Sequence, residues 1–118
     1  MKTVWVLDDD DGILEATTIV LEEAGYSVLG FNNADELRKS LQEKKPHLLL
    51  LDVLLSGDDG CDITQKLKKE SATKEIPVLL MSANNNIEKR CMDSGASSFI
   101  RKPFDILELE SAVKEYIA

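Results

Sequence analysis

Short apolar runs separated by longer amphipathic segments set the pattern of hydrophobic and polar positions along the chain. Most of these runs are continuous rather than alternating, which is typical of strands covered on both faces. The runs are Val4–Leu7, Val28–Phe31 with a break at Gly30, Leu48–Leu51, Val78–Met81 and Phe99–Ile100. We therefore predict five buried β-strands.

Each run is followed by a segment in which apolar residues recur at three- and four-residue spacing, as on one face of a helix. The five stripes contain Ile13, Leu14, Thr17, Val20, Leu21 and Ala24; Ala34, Leu37 and Leu41; Ile63 and Leu67; Ile87, Cys91 and Met92; and Ile106, Leu109, Val113, Tyr116 and Ile117. Because strands and helices alternate, the pattern predicts an α/β fold: a (βα)₅ chain with a doubly wound, parallel five-stranded sheet and helices on both faces. We assign residues 1–118 to one domain, since a chain of this length can bury a core without staples.

Polar residues and glycines mark the ends of the predicted helices. Asn33 and Asp105 each precede a stripe and are followed three residues later by Glu, which is the form of an N-cap with a capping box. Gly25 and Gly95 each follow a stripe, where a left-handed residue commonly ends a helix. The run Asn84–Asn86 is predicted to begin helix four and to accept hydrogen bonds from its free N–H groups.

Chemistry-bearing side chains follow four of the predicted strands. Strand one ends in Asp8 and Asp9, strand three in Asp52 and strand four in Ser82, and Lys102 follows strand five. In such sheets the ligand site lies beyond the carboxyl ends of the strands, so these groups should converge. Two carboxylates about 4 Å apart repel by roughly 4 kcal/mol at an effective dielectric constant of about 20, and a divalent cation such as Mg²⁺ or Mn²⁺ would relieve that repulsion. With an ammonium and a hydroxyl, the set suits phosphoryl transfer, with Asp52 as a candidate nucleophile.

The remaining acidic, histidine and cysteine residues of note are expected to have structural roles. Asp10 and Asp11 continue the acidic run and are expected to be first-turn acids of helix one. His47 precedes strand three and is expected at the opposite end of the sheet from Asp52, as a boundary residue. Cys61 and Cys91 have neither zinc-site spacing nor the pattern of a disulfide scaffold, so we expect reduced thiols in the core.

Composition limits the classes of binding partner and the cellular compartment that we expect for this protein. The sequence has 22 Asp and Glu against 14 Lys and Arg, a formal net charge of −8, which argues against direct binding to nucleic acid or to an acidic membrane. The N-terminal apolar run, Val4–Leu7, is short, whereas a secretory signal needs about 7 to 15 apolar residues and a membrane-spanning helix about 20. We expect a cytoplasmic protein.

Four stretches of the sequence resemble the receiver domain of bacterial two-component response regulators. They are Val6–Asp10, Leu51–Gly60, Leu80–Ala83 and Gly95–Phe104. Each is a weak signal alone, but the four occur in order over nearly the whole chain. The resemblance implies a flavodoxin-like sheet with strand order 2-1-3-4-5. It also implies a signalling module that is not an enzyme, except that it catalyses its own phosphorylation and slow dephosphorylation.

The resemblance further implies a role for each residue at the strand ends. Asp52 would accept a phosphoryl group from a sensor histidine kinase or a histidine phosphotransfer protein. Asp9, Asp52 and the backbone carbonyl of Leu54 would bind Mg²⁺ directly, with Asp8 acting through a water molecule. Lys102 would bind a phosphoryl oxygen.

The resemblance also implies a conformational switch. The Ser82 hydroxyl would move to the phosphoryl group and Phe99 would rotate inward, which would remodel the surface of helix four, strand five and helix five. We expect output through an unidentified protein target, and either a monomer or a dimer that forms on phosphorylation. Two departures from the family are Ser56, where proline is common, and Leu54, whose side chain cannot position a water molecule for dephosphorylation.

Two alternatives stay open. A degenerate receiver would act as an interaction module that is never phosphorylated. A phosphatase of the haloacid-dehalogenase type would use residues 9–14 as its D-x-D-G motif and Gly57–Asp59 as its final acidic motif, although that motif precedes Ser82 and Lys102 here.

Overall fold

The computed structural model describes residues 1–117, so Ala118, the last residue of the predicted domain, lies outside the described part. The main strands are β1 (Thr3–Leu7), β2 (Ser27–Phe31), β3 (Leu48–Asp52), β4 (Val78–Ser82) and β5 (Ser98–Arg101). The helices are α1 (Asp11–Glu23), α2 (Ala34–Glu43), α3 (Gly60–Lys69), α4 (Glu88–Asp93) and α5 (Ile106–Tyr116). A 3₁₀ turn at Asn85–Ile87 precedes α4, and a short antiparallel hairpin, Leu54–Leu55 with Asp58–Asp59, lies between β3 and α3.

The five main strands form one parallel sheet in the order β2-β1-β3-β4-β5. This order confirms both the predicted (βα)₅ fold and the order that the family resemblance implies. The register pairs Leu7 of β1 with Phe31 of β2 and with Leu51 of β3. Because these neighbouring strands end nearly level, the residues that follow them meet at one edge of the sheet.

The strands are buried on both faces, which explains why their apolar runs are continuous. One face packs against α2, α3 and α4 and includes Trp5, Leu49 and Leu80. The other face packs against α1 and α5 and includes Val6, Leu50 and Met81. The central strand β3 is buried along its whole length, so the site at its end rests on a fully buried strand.

The predicted helix ends are confirmed where the side chains act locally. The Asn33 side chain accepts a hydrogen bond from the Glu36 N–H, and Asp105 accepts one from the Glu108 N–H. Gly25 and Gly95 have φ angles of +100° and +104°, the left-handed conformation that a helix C-terminus favours in glycine.

Two local predictions differ from the structure. Asn84–Asn86 were expected to begin helix four, but the Asn84 side chain accepts from the Asn86 N–H and opens a 3₁₀ turn, and α4 starts only at Glu88. Ile13 and Ile106 belong to the apolar stripes of predicted helices, yet they are 36% and 57% exposed; both lie in the first turns of their helices, α1 and α5. None of the helices within residues 1–117 combines the length and apolar composition that a membrane crossing requires.

Candidate functional site

Asp8 and Asp9 leave β1 at the carboxyl edge of the sheet. Asp8 is fully buried; its backbone N–H donates to the Phe31 carbonyl at 3.1 Å, and its Oδ1 accepts from the Asp10 N–H at 2.9 Å. Asp10 in turn caps α1 by accepting from the Ile13 N–H at 3.0 Å. The expectation for Asp10 as a helix-start acid is therefore confirmed, and Asp8 is the member of the acidic run that is fixed inside the protein.

Lys102 connects two of the strand ends that carry acids. Its backbone N–H donates to the Ser82 carbonyl at 2.9 Å, which holds the residue after β5 against the end of β4. Its Nζ lies 2.7 Å from Asp8 Oδ2 and 3.4 Å from Asp52 Oδ1. The ammonium thus bridges two buried carboxylates and offsets part of their repulsion.

Asp52 is 7% exposed at the end of the central strand. Burial raises the pKa of Asp52 from its ordinary 3.8 to about 6, because a charged carboxylate is poorly solvated there. Lys102 opposes this rise, whereas the negative charge of Asp8 adds to it. A carboxylate that is desolvated and still largely ionised at neutral pH is suited to act as a nucleophile.

The three acids at the sheet edge fit a divalent cation. Asp8, Asp9 and Asp52 each offer a carboxylate oxygen, and these oxygens all lie within 4.8 Å of one another. With Lys102 beside them, three carboxylates and one ammonium leave a formal charge of about −2 when all are ionised. Hard oxygen ligands at an edge that is partly open to solvent suit Mg²⁺ or Mn²⁺.

The hairpin after β3 lies next to the acids. Ser56 donates two hydrogen bonds to Asp9 Oδ2, from its backbone N–H at 3.0 Å and from its hydroxyl at 3.1 Å. The chain then returns towards Asp52: the Gly60 N–H donates to the Val53 carbonyl at 2.8 Å, and a Cβ on Gly60 would lie only 2.5 Å from the Asp52 carbonyl oxygen. In the sequence, Ser56 differs from the family only as a replacement for the common proline, and no local pattern indicates its contact with Asp9.

Ser82 ends β4, the strand that pairs with β3, and Phe99 lies on β5, the next strand in the sheet. Ser82 is 1% exposed, and its Oγ accepts from the Asn84 N–H at 3.0 Å. Phe99 is partly buried and packs, together with Leu55 and Ile87, against the core on the α2, α3 and α4 face. The structure therefore brings Asp8, Asp9, Asp52 and Lys102 into one cluster and places Ser82 at the adjoining strand end.

Two arginines hold the hairpin acids away from this cluster. Arg38 of α2 contacts Asp58 at 2.7 Å, and Arg90 of α4 contacts both carboxylate oxygens of Asp59, at 3.3 and 3.0 Å. Burial alone would raise the pKa of Asp59, but the hydrogen bonds from Arg90 and from the Cys61 N–H outweigh burial and lower it. These acids therefore stabilise the hairpin, the N-terminus of α3 and the position of α4. Because they are paired with arginines away from the cluster, the phosphatase alternative lacks the acidic motif that it requires.

The remaining candidates have structural positions. The His47 Nδ1 accepts from the Thr3 N–H at 3.0 Å, at the start of β1 and therefore at the opposite edge from Asp52. Cys61 and Cys91 are free and buried, as expected. Their sulfur atoms lie 3.2 Å apart, between α3 and α4, which the spacing in sequence did not indicate. Burial, followed by the neighbouring thiol, raises the pKa of Cys61 to about 12.

Comparison with known proteins places this fold and cluster in a family. A model of the response regulator receiver domain matches residues 4–114. The chain belongs to the response regulator receiver family. As a receiver domain it is a signalling module of two-component systems, a class that interacts with histidine kinases or phosphotransfer proteins and binds Mg²⁺ at an acidic pocket.

Relatives of this receiver domain are larger regulators. The phosphate regulon transcriptional regulatory protein PhoB of Pseudomonas aeruginosa is 32% identical over 96% of this chain and 50% of its own length. The DNA-binding dual master transcriptional regulator RpaA of Synechocystis is 33% identical over 97% of this chain and 48% of its own length. The chain thus spans about half the length of these curated relatives. Among solved structures, the signal receiver domain of a signal transduction histidine kinase from Syntrophus aciditrophicus has a TM-score of 0.91 and 28% identity, covering 99% of this chain and 90% of that one.

Proposed function

We propose that this receiver domain is a phosphorylation-dependent switch whose phosphoacceptor is Asp52. The observation that supports this most directly is the position of Lys102, whose ammonium lies 3.4 Å from Asp52 Oδ1 within a group of three carboxylates. An ionised oxygen with a cation beside it, at the end of a buried strand, is the arrangement that in-line phosphoryl transfer requires.

The proposed reaction is the attack of an Asp52 carboxylate oxygen on the phosphorus of a phosphohistidine. The new O–P bond forms as the P–N bond breaks, and the electron pair of that bond remains on the imidazole nitrogen. Lys102 moves from its bridge between the two buried acids to an oxygen of the transferred group. Asp9, Asp52 and the Leu54 carbonyl would hold Mg²⁺, with Asp8 acting through a water molecule, and the bound ion would supply the remaining positive charge that the phosphoryl oxygens need.

The proposed output acts through Ser82 and Phe99. The Ser82 hydroxyl accepts from Asn84 but keeps its own proton to donate, so rotation towards a phosphoryl group would give up this contact at the start of the 3₁₀ turn. Phe99 and Ile87 of that turn pack against the same face of the core. Phosphorylation would therefore change the packing of the α4, β5 and α5 surface and its affinity for a protein target, or for a second copy of the chain.

The phosphodonor is proposed to dock beside α1. A groove of about 600 Å³ between α1 and α5 is lined mainly by apolar side chains, including Ile13, Phe104 and Ile106, and it reaches Lys102. Ile106 is 57% exposed at its rim. Apolar surface that adjoins the acceptor edge suits a histidine kinase or phosphotransfer protein, which must bring its phosphohistidine to Asp52.

Incubation with Mg²⁺ and a small phosphodonor such as an acyl phosphate, followed by intact mass measurement, tests the proposal. We expect one added phosphoryl group in the wild type, none in Asp52→Asn, and normal labelling in Asp11→Asn, which removes a charge from the same acidic run. Labelling that persists in Asp52→Asn would refute the assignment. An unlabelled wild type would favour the degenerate receiver that acts without phosphorylation.

A further inference from the structure

We infer that Ser56 is a positioning residue for Asp9, and that it sets the affinity of the acidic cluster for Mg²⁺. The inference rests on the proposed function, because it concerns the cation that the phosphorylation site would bind. It goes beyond that function by assigning a role to a residue at which this chain departs from the proline common in its family.

The contact is specific because one residue supplies both donors to one oxygen. The Ser56 N–H and hydroxyl lie 3.0 and 3.1 Å from Asp9 Oδ2. Two donors on the same oxygen fix the side-chain torsions of the carboxylate and leave the lone pairs of Oδ1 for another ligand. Outer contacts of this kind orient metal ligands, and their loss typically weakens metal binding by about 10- to 100-fold.

Asp9 depends on this contact more than its neighbours depend on theirs. Asp8 and Asp52 are buried, and Lys102 binds both. Asp9 is exposed, and among residues 1–117 the hydrogen bonds found to its carboxylate come from Ser56. Without them, an exposed aspartate would sample several rotamers and would lose conformational entropy on binding a cation.

The same contact joins the two loops that carry the proposed ligands. Asp9 lies after β1, whereas Leu54, the proposed carbonyl ligand, lies two residues before Ser56 in the hairpin after β3. Ser56 and Gly57 form the two-residue turn of that hairpin, since Leu55 pairs with Asp58. A hydrogen bond from this turn to Asp9 therefore holds the side-chain ligand and the carbonyl ligand at a fixed separation.

The turn geometry makes proline an informative substitution. Gly57 has a φ of +78°, the value required at the second central position of a type II turn, whose first central position readily accepts proline. Ser56→Pro should therefore keep the hairpin while removing both the N–H and the hydroxyl. Ser56→Ala removes the hydroxyl alone, and Ser56→Thr keeps both donors.

Calorimetric titration of the full chain with Mg²⁺ near pH 8, with no phosphodonor present, tests the inference. We expect binding about 3- to 10-fold weaker in Ser56→Ala and about 10-fold or more weaker in Ser56→Pro. Ser56→Thr should bind within about twofold of the wild type, as should Ser71→Ala, an exposed serine away from the site. Urea unfolding in EDTA should show similar stabilities for all variants, which separates ligand positioning from a general loss of structure.

The outcomes separate this inference from the proposed function. If the wild type binds Mg²⁺ and is phosphorylated on Asp52, but Ser56→Ala and Ser56→Pro bind Mg²⁺ as tightly as the wild type or more tightly, the positioning role is wrong and the proposed function stands. A weaker Ser56→Pro with an unchanged Ser56→Ala would assign the effect to the backbone N–H and support the inference. A wild type that does not bind Mg²⁺ would overturn both.

Discussion

Replacing Asp52 with Asn should stabilise the fold at neutral pH, although it would abolish the proposed phosphorylation. Burial raises the pKa of Asp52 from 3.8 to about 6, so the ionised carboxylate is disfavoured in the folded state by about 2 pKa units. At about 1.36 kcal/mol for each unit, the penalty is about 3 kcal/mol when the group is ionised in both states. The new amide is less well paired beside Lys102, so the net gain should be about 1–3 kcal/mol.

The pH dependence follows from the sign of this shift. Below about pH 3.8, Asp52 is protonated in both the folded and the unfolded state and contributes nothing to the pH dependence of stability. Between about pH 3.8 and 6, the carboxyl group ionises first in the unfolded state, so the wild type loses stability as the pH rises. Above about pH 6, the group is ionised in both states and the penalty is constant. Urea unfolding in EDTA at several pH values between about 4 and 8 measures the difference. The advantage of Asp52→Asn should be largest near pH 8 and should shrink towards pH 4.

Asp11→Asn is the matched control, because it removes one negative charge from the first turn of α1, an exposed position. It should leave stability unchanged or lower it by under about 1 kcal/mol, since an acid in the first turn favours the helix. The reasoning would be refuted if Asp52→Asn were no more stable than the wild type near pH 8. Equal stabilisation by Asp11→Asn would also refute it, since the cause would then be net charge rather than burial.

Three further substitutions or conditions give separate predictions. In EDTA near pH 7, Lys102→Met should destabilise the fold by about 3 kcal/mol in urea titrations, because Asp8 would lose the ammonium 2.7 Å away while still buried; an unchanged midpoint would contradict this. Gly60→Ala should cost about 1–3 kcal/mol and slow labelling by a phosphodonor, because the new methyl group would press on the Asp52 carbonyl; wild-type values in both assays would be inconsistent with that contact. Calorimetric Mg²⁺ affinity should fall as the pH drops through about 6, where Asp52 takes up a proton, and a flat profile would argue that Asp52 is not a ligand.

The fold was predictable because each strand carries its own signal. Leu48–Leu51 is buried on both sides of the sheet, so its apolar run has no polar interruption. The helix start at Asn33 and the helix end at Gly25 depend on contacts within a few residues. Local chemistry of this kind can be read directly from a sequence.

The finer geometry of the site depends on contacts between distant parts of the chain, and no local pattern reveals these. Ser56 meets Asp9 across 47 positions, and Cys61 meets Cys91 across 30. Asn84 was expected to cap an α-helix, but its side chain bonds the backbone two residues ahead, which favours a tighter turn. The convergence of Asp8, Asp52 and Lys102 was predictable only because parallel strands share a carboxyl edge.

The shortness of α4 has a consequence for where the molecule opens. This helix has six residues, and no side-chain hydrogen bond caps its N-terminus, whereas isolated helices below about 12 residues are marginal in water. The α4 helix is therefore stabilised by tertiary contacts, namely the hydrogen bonds from Arg90 to Asp59 and the burial of Cys91. Amide hydrogens of α4 should consequently exchange with solvent through local opening rather than through global unfolding. Part of the free energy of that opening comes from the contact between Arg90 and Asp59. Because Asp59 belongs to the hairpin that also carries Ser56, the opening of α4 is coupled to the loop beside the acidic edge of the sheet.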